Sequence, residues 1–300
     1  MTAPQEKKPA WLRVRIPSSP SRTVQSVLNN DALHTVCVEA KCPNQMHCFA
    51  RGQATFLLLG PNCTRRCTFC AVGKFSVHEP DEKEPERVAR ATARMGLTYC
   101  VLTMVTRDDL DDGGAAHIVE TVRAIRRQSP RTEIELLISD LNGNGDALDT
   151  VLQTRPAVLN HNVETVSRLY PEVRPQADYR RSLDLLARVA STGAGIIVKS
   201  GMMLGLGEER DEVLSTMDDL RAAGCELLTL GQYLSPSERH HPVVRYVPPE
   251  EFDRYKEEAL NRGFRGVASA PLVRSSYHAA DLFRDAGDEG ATRGHSRPGA

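Results

Sequence analysis

ATFLLLGPNCTRRCTFC, residues 54–70, joins a short apolar run to three cysteines spaced C-x3-C-x2-C. The apolar run reads as a first buried strand. Cys63, Cys67 and Cys70 then fall in the loop at that strand's C-terminal end, and in α/β barrels this is the face that carries chemistry.

Outward from this point the same kind of apolar run recurs: YCVLTMVT near 99, EIELLIS near 133, AVLNHNV near 157, GIIVKSGMMLG near 195, ELLTLGQYL near 226 and FRGVASAP near 264. Between them lie helical patterns such as EPERVARATARMG, GAAHIVETVRAIRRQ, YRRSLDLLARVASTG, ERDEVLSTMDDLRAAG and PPEEFDRYKEEALNRG, several closing on a glycine as a C-cap does. This alternation predicts repeated βα units. No GxGxxG follows the first strand and the strands are evenly spaced, so a partial TIM-like barrel of (β/α)6 type is favoured over a doubly wound sheet. The expected organisation is a mobile segment at 1–20, an N-terminal extension at 21–52, the barrel at 53–270, a C-terminal segment at 271–283 and a mobile polar tail at 284–300. The two extensions are expected to cover the barrel mouth.

Three thiolates occupy three corners of a four-iron cube and leave the fourth iron open to an exogenous ligand. Zinc also accepts cysteine, and three unrelated core cysteines would fit the count as well. Structural zinc, however, usually draws on paired C-x2-C knuckles or added histidines. A second triad lies upstream in HTVCVEAKCPNQMHC, where Cys37, Cys42 and Cys48 are spaced C-x4-C-x5-C, again one ligand short of four. His34 and His47 are nearby candidates for the fourth position, although polar residues flanking such a loop are more often solvated. Cys100 and Cys225 sit inside apolar strand patterns and read as small buried hydrophobes.

Eight cysteines in 300 residues, six of them between Cys37 and Cys70, are too unevenly placed for a disulfide scaffold and suggest metal ligation in a reducing compartment. The 38 basic and 39 acidic residues leave a net charge of -1, which predicts no nucleic-acid partner. There is no apolar leader core in MTAPQEKKPAWLRVRIP and no run near 18 apolar residues, so no membrane association is expected and the location is read as cytoplasmic.

The C-x3-C-x2-C loop after the first strand, with Phe69 before its last cysteine, resembles the radical S-adenosylmethionine superfamily. The upstream triad, RDDLDDGGA (107–115), HNVETV (161–166), KSGMMLGLGE (199–208), QYLSPSERHHPV (232–243) and PLVRSSYHA (271–279) together resemble the lipoyl synthase family within it. His47, Phe49 and Asp111 depart from that family's usual residues, but none of these changes removes a cluster ligand.

The resemblance implies a sulfurtransferase that inserts sulfur at C6 and C8 of a protein-bound octanoyl chain, with two 4Fe-4S clusters and S-adenosyl-L-methionine as cofactors. Cys63, Cys67 and Cys70 would hold the cluster whose open iron takes S-adenosylmethionine. Cys37, Cys42 and Cys48 would hold the auxiliary cluster that donates sulfur, completed by Ser276 of the RSSY motif, with Ser275 as the fallback. A turn with ordinary hydroxyl hydrogen bonds is the alternative reading of RSSY.

Gly113 and Gly114 would approach the methionine amine, or simply form the turn into a helix. Phe69, Asn162, Glu164, Lys199 and Ser200 are further expected cofactor contacts. His240 and His241, adjacent in a loop, are expected to point apart and to serve a surface or carrier contact. Implied partners are an octanoylated lipoyl carrier domain or glycine-cleavage H protein, an electron donor such as ferredoxin or flavodoxin, and an iron-sulfur cluster carrier. A related sulfur-inserting enzyme for another acyl or small-molecule substrate, or a zinc-stabilised module without catalysis, are the competing readings.

Overall fold

The structure, a computed structural model, describes residues 7–14 and 22–293. Three helices open it: α1 (Arg22–Asn30), α2 (Val36–Glu39) and α3 (Gln45–Ala50). There follow β1 (Thr55–Leu58), α4 (Glu84–Arg94), β2 (Tyr99–Met104), α5 (Ala115–Gln128), β3 (Glu133–Leu137), α6 (Gly145–Leu152), β4 (Val158–Asn160), α7 (Tyr170–Val173), α8 (Tyr179–Ser191), β5 (Ile197–Leu204), α9 (Arg210–Ala222), β6 (Leu227–Gln232), α10 (Pro249–Asn261), β7 (Gly266–Ser269) and α11 (Ala279–Arg293).

The seven strands form one parallel sheet in sequence order, and β7 does not pair with β1. The barrel is therefore partial, as expected. It carries a seventh strand beyond six βα units, because the run near 264 pairs with β6. The open edge of β1 is covered by the N-terminal extension. Thr35 bridges antiparallel to Phe56, and Leu57 N donates to His34 O at 2.9 Å. That pairing shields an edge whose amides would otherwise be free to template another chain.

The helices follow their patterns. In α5, Ala115, Ile118, Val119, Val122 and Ile125 are buried at helical spacing. Asp178 caps α8 by accepting from Arg181 N, and Glu209 with Glu212 forms a capping box on α9. Gly96 and Gly224 end α4 and α9 with φ of +60° and +84°, the glycine terminators expected from the sequence. Cys100 and Cys225 are fully buried and their thiols are pushed up to about 12 by that burial, which fits their reading as core residues.

Of the expected N-terminal mobile segment, Ala10–Leu12 forms a 3-10 turn with Leu12 buried, and residues 1–6 and 15–21 lie outside the described residues. At the other end the structure differs from the expected boundary at 284. α11 continues to Arg293, with Leu282 and Ala286 packed on Leu227 of β6 and Phe283 against Tyr99 at the start of β2, 5.5 Å between ring centroids. Residues 294–300 of the expected tail lie outside the described residues. Among the described residues no helix is long and apolar enough to cross a membrane.

Candidate active site

A cavity of about 540 Å³ opens at the C-terminal ends of the strands. Thr103 and Met104 of β2, Leu137 of β3, Met202 and Met203 of β5 and Gly231 of β6 contribute its floor and walls. Cys37 and Cys42 reach it from the N-terminal extension, Cys63, Cys67 and Cys70 from the loop after β1, and Arg274, Ser275 and Ser276 from the segment after β7. Five of the six clustered cysteines and Arg274, Ser275 and Ser276, far apart in sequence, thus meet at one mouth, and Cys48 lies behind it beside Cys37 and Cys42.

The two triads remain separate groups. Burial pushes the Cys37 thiol up to about 11, and Cys42 adds to it. Cys48 is pushed up to about 12 by burial and by Cys37 and Cys42. Cys70 rises to about 12 by burial, with the nearby Cys67 and Cys63 adding to the rise. Burial also raises Cys67, while the Arg174 guanidinium beside it works in the opposite direction. Among the described residues all eight cysteines are free, and no three His, Cys, Asp or Glu side chains converge tightly enough for one metal ion. A four-iron cube, which takes one thiolate per corner, spreads its ligands further than a single zinc does. Two sets of three cysteines fit two such cubes.

The loop of the downstream triad is anchored by Arg65, which sequence reasoning passed over although it lies between Cys63 and Cys67. Its guanidinium is buried and gives Nε and Nη2 to Asp108 at 2.7 and 2.8 Å, and Nη1 and Nη2 to Asp140 at 2.9 and 2.7 Å. Burial alone would raise the Asp140 carboxyl, but the Arg65 hydrogen bond and charge hold it down at about 2. Phe69 lines the cavity beside Cys70.

The upstream triad meets the RSSY segment. Asn44 Nδ2 donates to Leu272 O at 2.6 Å, and the His47 and Tyr277 rings lie 6.1 Å apart. Missing side chains make this approach possible: a Cβ on Gly231 would stand 2.1 Å from Val273 O, and one on Gly201 3.0 Å from Ser275 Oγ. The Ser275 hydroxyl is engaged by Asn162, at 2.7 Å to Nδ2 and 3.0 Å to Oδ1. Ser276 lines the cavity, and its hydroxyl enters none of the side-chain hydrogen bonds made among the described residues. His34 does not line the cavity, and its Nδ1 pairs with Glu39 at 3.1 Å. His47 Nδ1 is buried without a partner among the described residues.

Asn162 and Glu164 face the cavity from the loop after β4. Glu164 has a φ of +65°, an uncommon backbone for this residue type. Its carboxyl is raised by burial, against the pull of Arg174 and Arg274. The other expected cofactor contacts are not on the cavity wall. Lys199 is fully buried in an ion pair with Glu135 at 2.7 Å, and the buried Ser200 hydroxyl donates to His161 O at 2.9 Å. Gly113 and Gly114, with φ of +61° and +94°, form the turn into α5; a Cβ on Gly114 would meet Leu59 at 2.4 Å. His240 and His241 point apart as expected, but His241 is not a surface residue. It is buried, with Nε2 2.9 Å from Leu206 O.

Arg174 has no sequence signal and was missed. It is buried on the cavity wall beside Cys67, bonded through Nη1 to Asn162 O, Val163 O and the Tyr170 hydroxyl, and its Nε has no partner among the described residues.

A family model described as Radical SAM superfamily matches residues 57–220. The chain is 53% identical over 281 residues to the lipoyl synthase of Chlorobium chlorochromatii, covering 93% of this chain and 96% of that protein. It is 52% identical over 280 residues to the lipoyl synthase of Desulfotalea psychrophila, covering 93% and 94%. Among solved structures, methylornithine synthase (PylB) superposes with a TM-score of 0.56 at 14% identity, covering 78% of this chain and 69% of that one. HydG, a maturase of FeFe-hydrogenase, gives 0.58 at 13%, covering 77% and 54%. These two likenesses establish the shared fold. Identity near 50% over almost the whole length establishes more: the chain belongs to the lipoyl synthase family of the radical S-adenosylmethionine superfamily.

Proposed function

We propose that this chain carries out its family's reaction, radical insertion of two sulfur atoms at C6 and C8 of an octanoyl chain attached to a carrier protein. The observation that supports the residue assignments is the convergence on one cavity of Cys37 and Cys42, of Cys63, Cys67 and Cys70, and of Arg274, Ser275 and Ser276. Cys63, Cys67 and Cys70 would hold the catalytic 4Fe-4S cluster, which with S-adenosylmethionine would supply a radical able to take hydrogen from an unactivated C–H bond.

The chain's own residues bind, aim and exclude water. Arg174 brings a guanidinium to the cavity wall beside Cys67, and a guanidinium suits a carboxylate, so it is assigned to the methionine carboxylate of S-adenosylmethionine. Asn162 and Glu164 present acceptors to the cofactor's ammonium and hydroxyl groups, and Phe69 supplies an apolar wall. The extensions close the mouth and keep water from the reacting carbon.

The auxiliary cluster is sulfur substrate, held by Cys37, Cys42, Cys48 and Ser276. An oxygen ligand beside three thiolates is the weaker soft-metal partner and suits a cluster that must be dismantled. The carrier is a lipoyl domain or glycine-cleavage H protein in the cytoplasm, a ferredoxin or flavodoxin supplies electrons, and a cluster carrier rebuilds the spent site. Anaerobic turnover with an octanoylated carrier peptide tests the reaction by mass spectrometry. A gain of two sulfurs is expected; no sulfur gain with both clusters assembled overturns it.

A further inference from the structure

Lys199 lies within β5 with its side chain fully buried, and Glu135 of β3 is buried to the same degree, their charged atoms 2.7 Å apart. A buried pair of this kind is expensive to desolvate, and apolar residues of similar volume would often serve stability as well or better. The pair here does something an apolar pair would not. Lys199 Nζ also donates to the carbonyl oxygen of Ser275 at 2.7 Å.

Glu135 is itself fixed on both oxygens. Oε1 accepts from Asn160 Nδ2 at 3.3 Å as well as from Lys199, and Oε2 accepts from the Tyr99 hydroxyl at 2.7 Å. Residues of β2, β3, β4 and β5 thus form one polar post ending at the RSSY backbone. The Ser275 carbonyl and the Cα of Ser276 belong to the same rigid peptide plane, so a hydrogen bond that fixes the first orients the second. The Ser275 hydroxyl, held by Asn162 in the space that Gly201 leaves open, pins the other side of that residue.

We infer that Lys199 is a positioning residue that orients Ser276 toward the auxiliary cluster through the Ser275 carbonyl. The inference rests on the reading of Ser276 as that cluster's oxygen ligand. Lys199 thereby acts on sulfur donation, with no direct contact to S-adenosylmethionine.

The test uses full-length protein reconstituted anaerobically, with Mössbauer spectra of the clusters, iron content and S-adenosylmethionine cleavage measured on each variant. In Lys199→Met/Glu135→Gln no buried carboxylate is left unpaired. We expect loss of the distinct signature of the serine-bound iron, a fall of roughly 10- to 100-fold in lipoyl product as for other residues that orient a metal ligand, and cleavage kept within about 2-fold of wild type, a change too small to count as lost transition-state stabilisation. Lys199→Gln, one atom too short to reach the Ser275 carbonyl, is read in the same way if the double variant does not fold. Glu135→Gln alone leaves the lysine donor in place and should keep the signature.

A role confined to stability would lower the melting temperature without moving the spectrum, and that result overturns the inference. Ser276→Ala separates the two levels. If it leaves the spectrum unchanged, the ligand reading fails; if it abolishes the signature while the Lys199 variants retain it, only the positioning role fails.

Discussion

Arg65 and Asp140 form a buried bidentate ion pair, Nη1 to Oδ2 at 2.9 Å and Nη2 to Oδ1 at 2.7 Å, that ties the loop bearing Cys63 and Cys67 to the chain just beyond β3. A second bidentate pair, from Arg65 to Asp108, ties the same loop to the chain beyond β2. Lysine is a point charge and cannot reproduce two forks. Arg65→Lys should therefore weaken retention of the catalytic cluster roughly 10- to 100-fold and abolish most S-adenosylmethionine cleavage, while the auxiliary cluster remains. Anaerobic iron analysis before and after a mild chelator checks this.

The same pair gives a pH dependence. The Asp140 carboxyl is held at about 2 in the folded chain, below its ordinary value of 3.8. Its contribution, on the order of 2 kcal/mol, is present in full above the unfolded carboxylate range and is lost as pH falls through about 2. Denaturant titrations of the cluster-free chain should show wild type more stable than Asp140→Asn at neutral pH. The difference should shrink steadily as the pH is lowered from about 5 toward 2.

Gly231 is the narrowest point beneath the RSSY segment, since a Cβ there would stand 2.1 Å from a backbone oxygen that has no side-chain freedom to yield. Gly231→Ala should cost about 1–3 kcal/mol, the usual range for overpacking, and should displace Val273–Ser276 from the mouth. Loss of auxiliary iron in preference to catalytic iron is the expected signature. Equal loss of both would point to general unfolding.

Arg174→Gln removes the guanidinium from the cavity wall while keeping a polar side chain. Removing a charge-assisted hydrogen bond should weaken S-adenosylmethionine binding roughly 10- to 100-fold, with iron content unchanged. Equilibrium binding to the reconstituted protein measures it, and an unchanged dissociation constant would remove Arg174 from the cofactor site.

The barrel was legible because parallel strands buried on both faces are continuous apolar runs, and all seven runs became strands. The cysteines were legible because their spacing is local. Lys199 was visible as a charge inside an apolar strand, but its partner Glu135 lies 64 positions away, so only the folded chain shows the buried pair. Gly113 and Gly114 carried a motif whose local geometry serves the entry to α5. Arg174, alone in PEVRPQ, looks like any surface arginine until the chain packs around it. The polar composition after residue 284 masked the helical pairing of Leu282 with Ala286, four apart, which buries one face of α11.

Whether two separate cubes form on two separate triads is tested most directly by counting iron and sulfide in anaerobically prepared protein and two triple variants. Wild type should hold about eight irons. Cys37→Ala/Cys42→Ala/Cys48→Ala and Cys63→Ala/Cys67→Ala/Cys70→Ala should each hold about four. A wild-type chain with about four irons, all lost from either triple variant, would mean one cluster fed by both triads and would contradict the account.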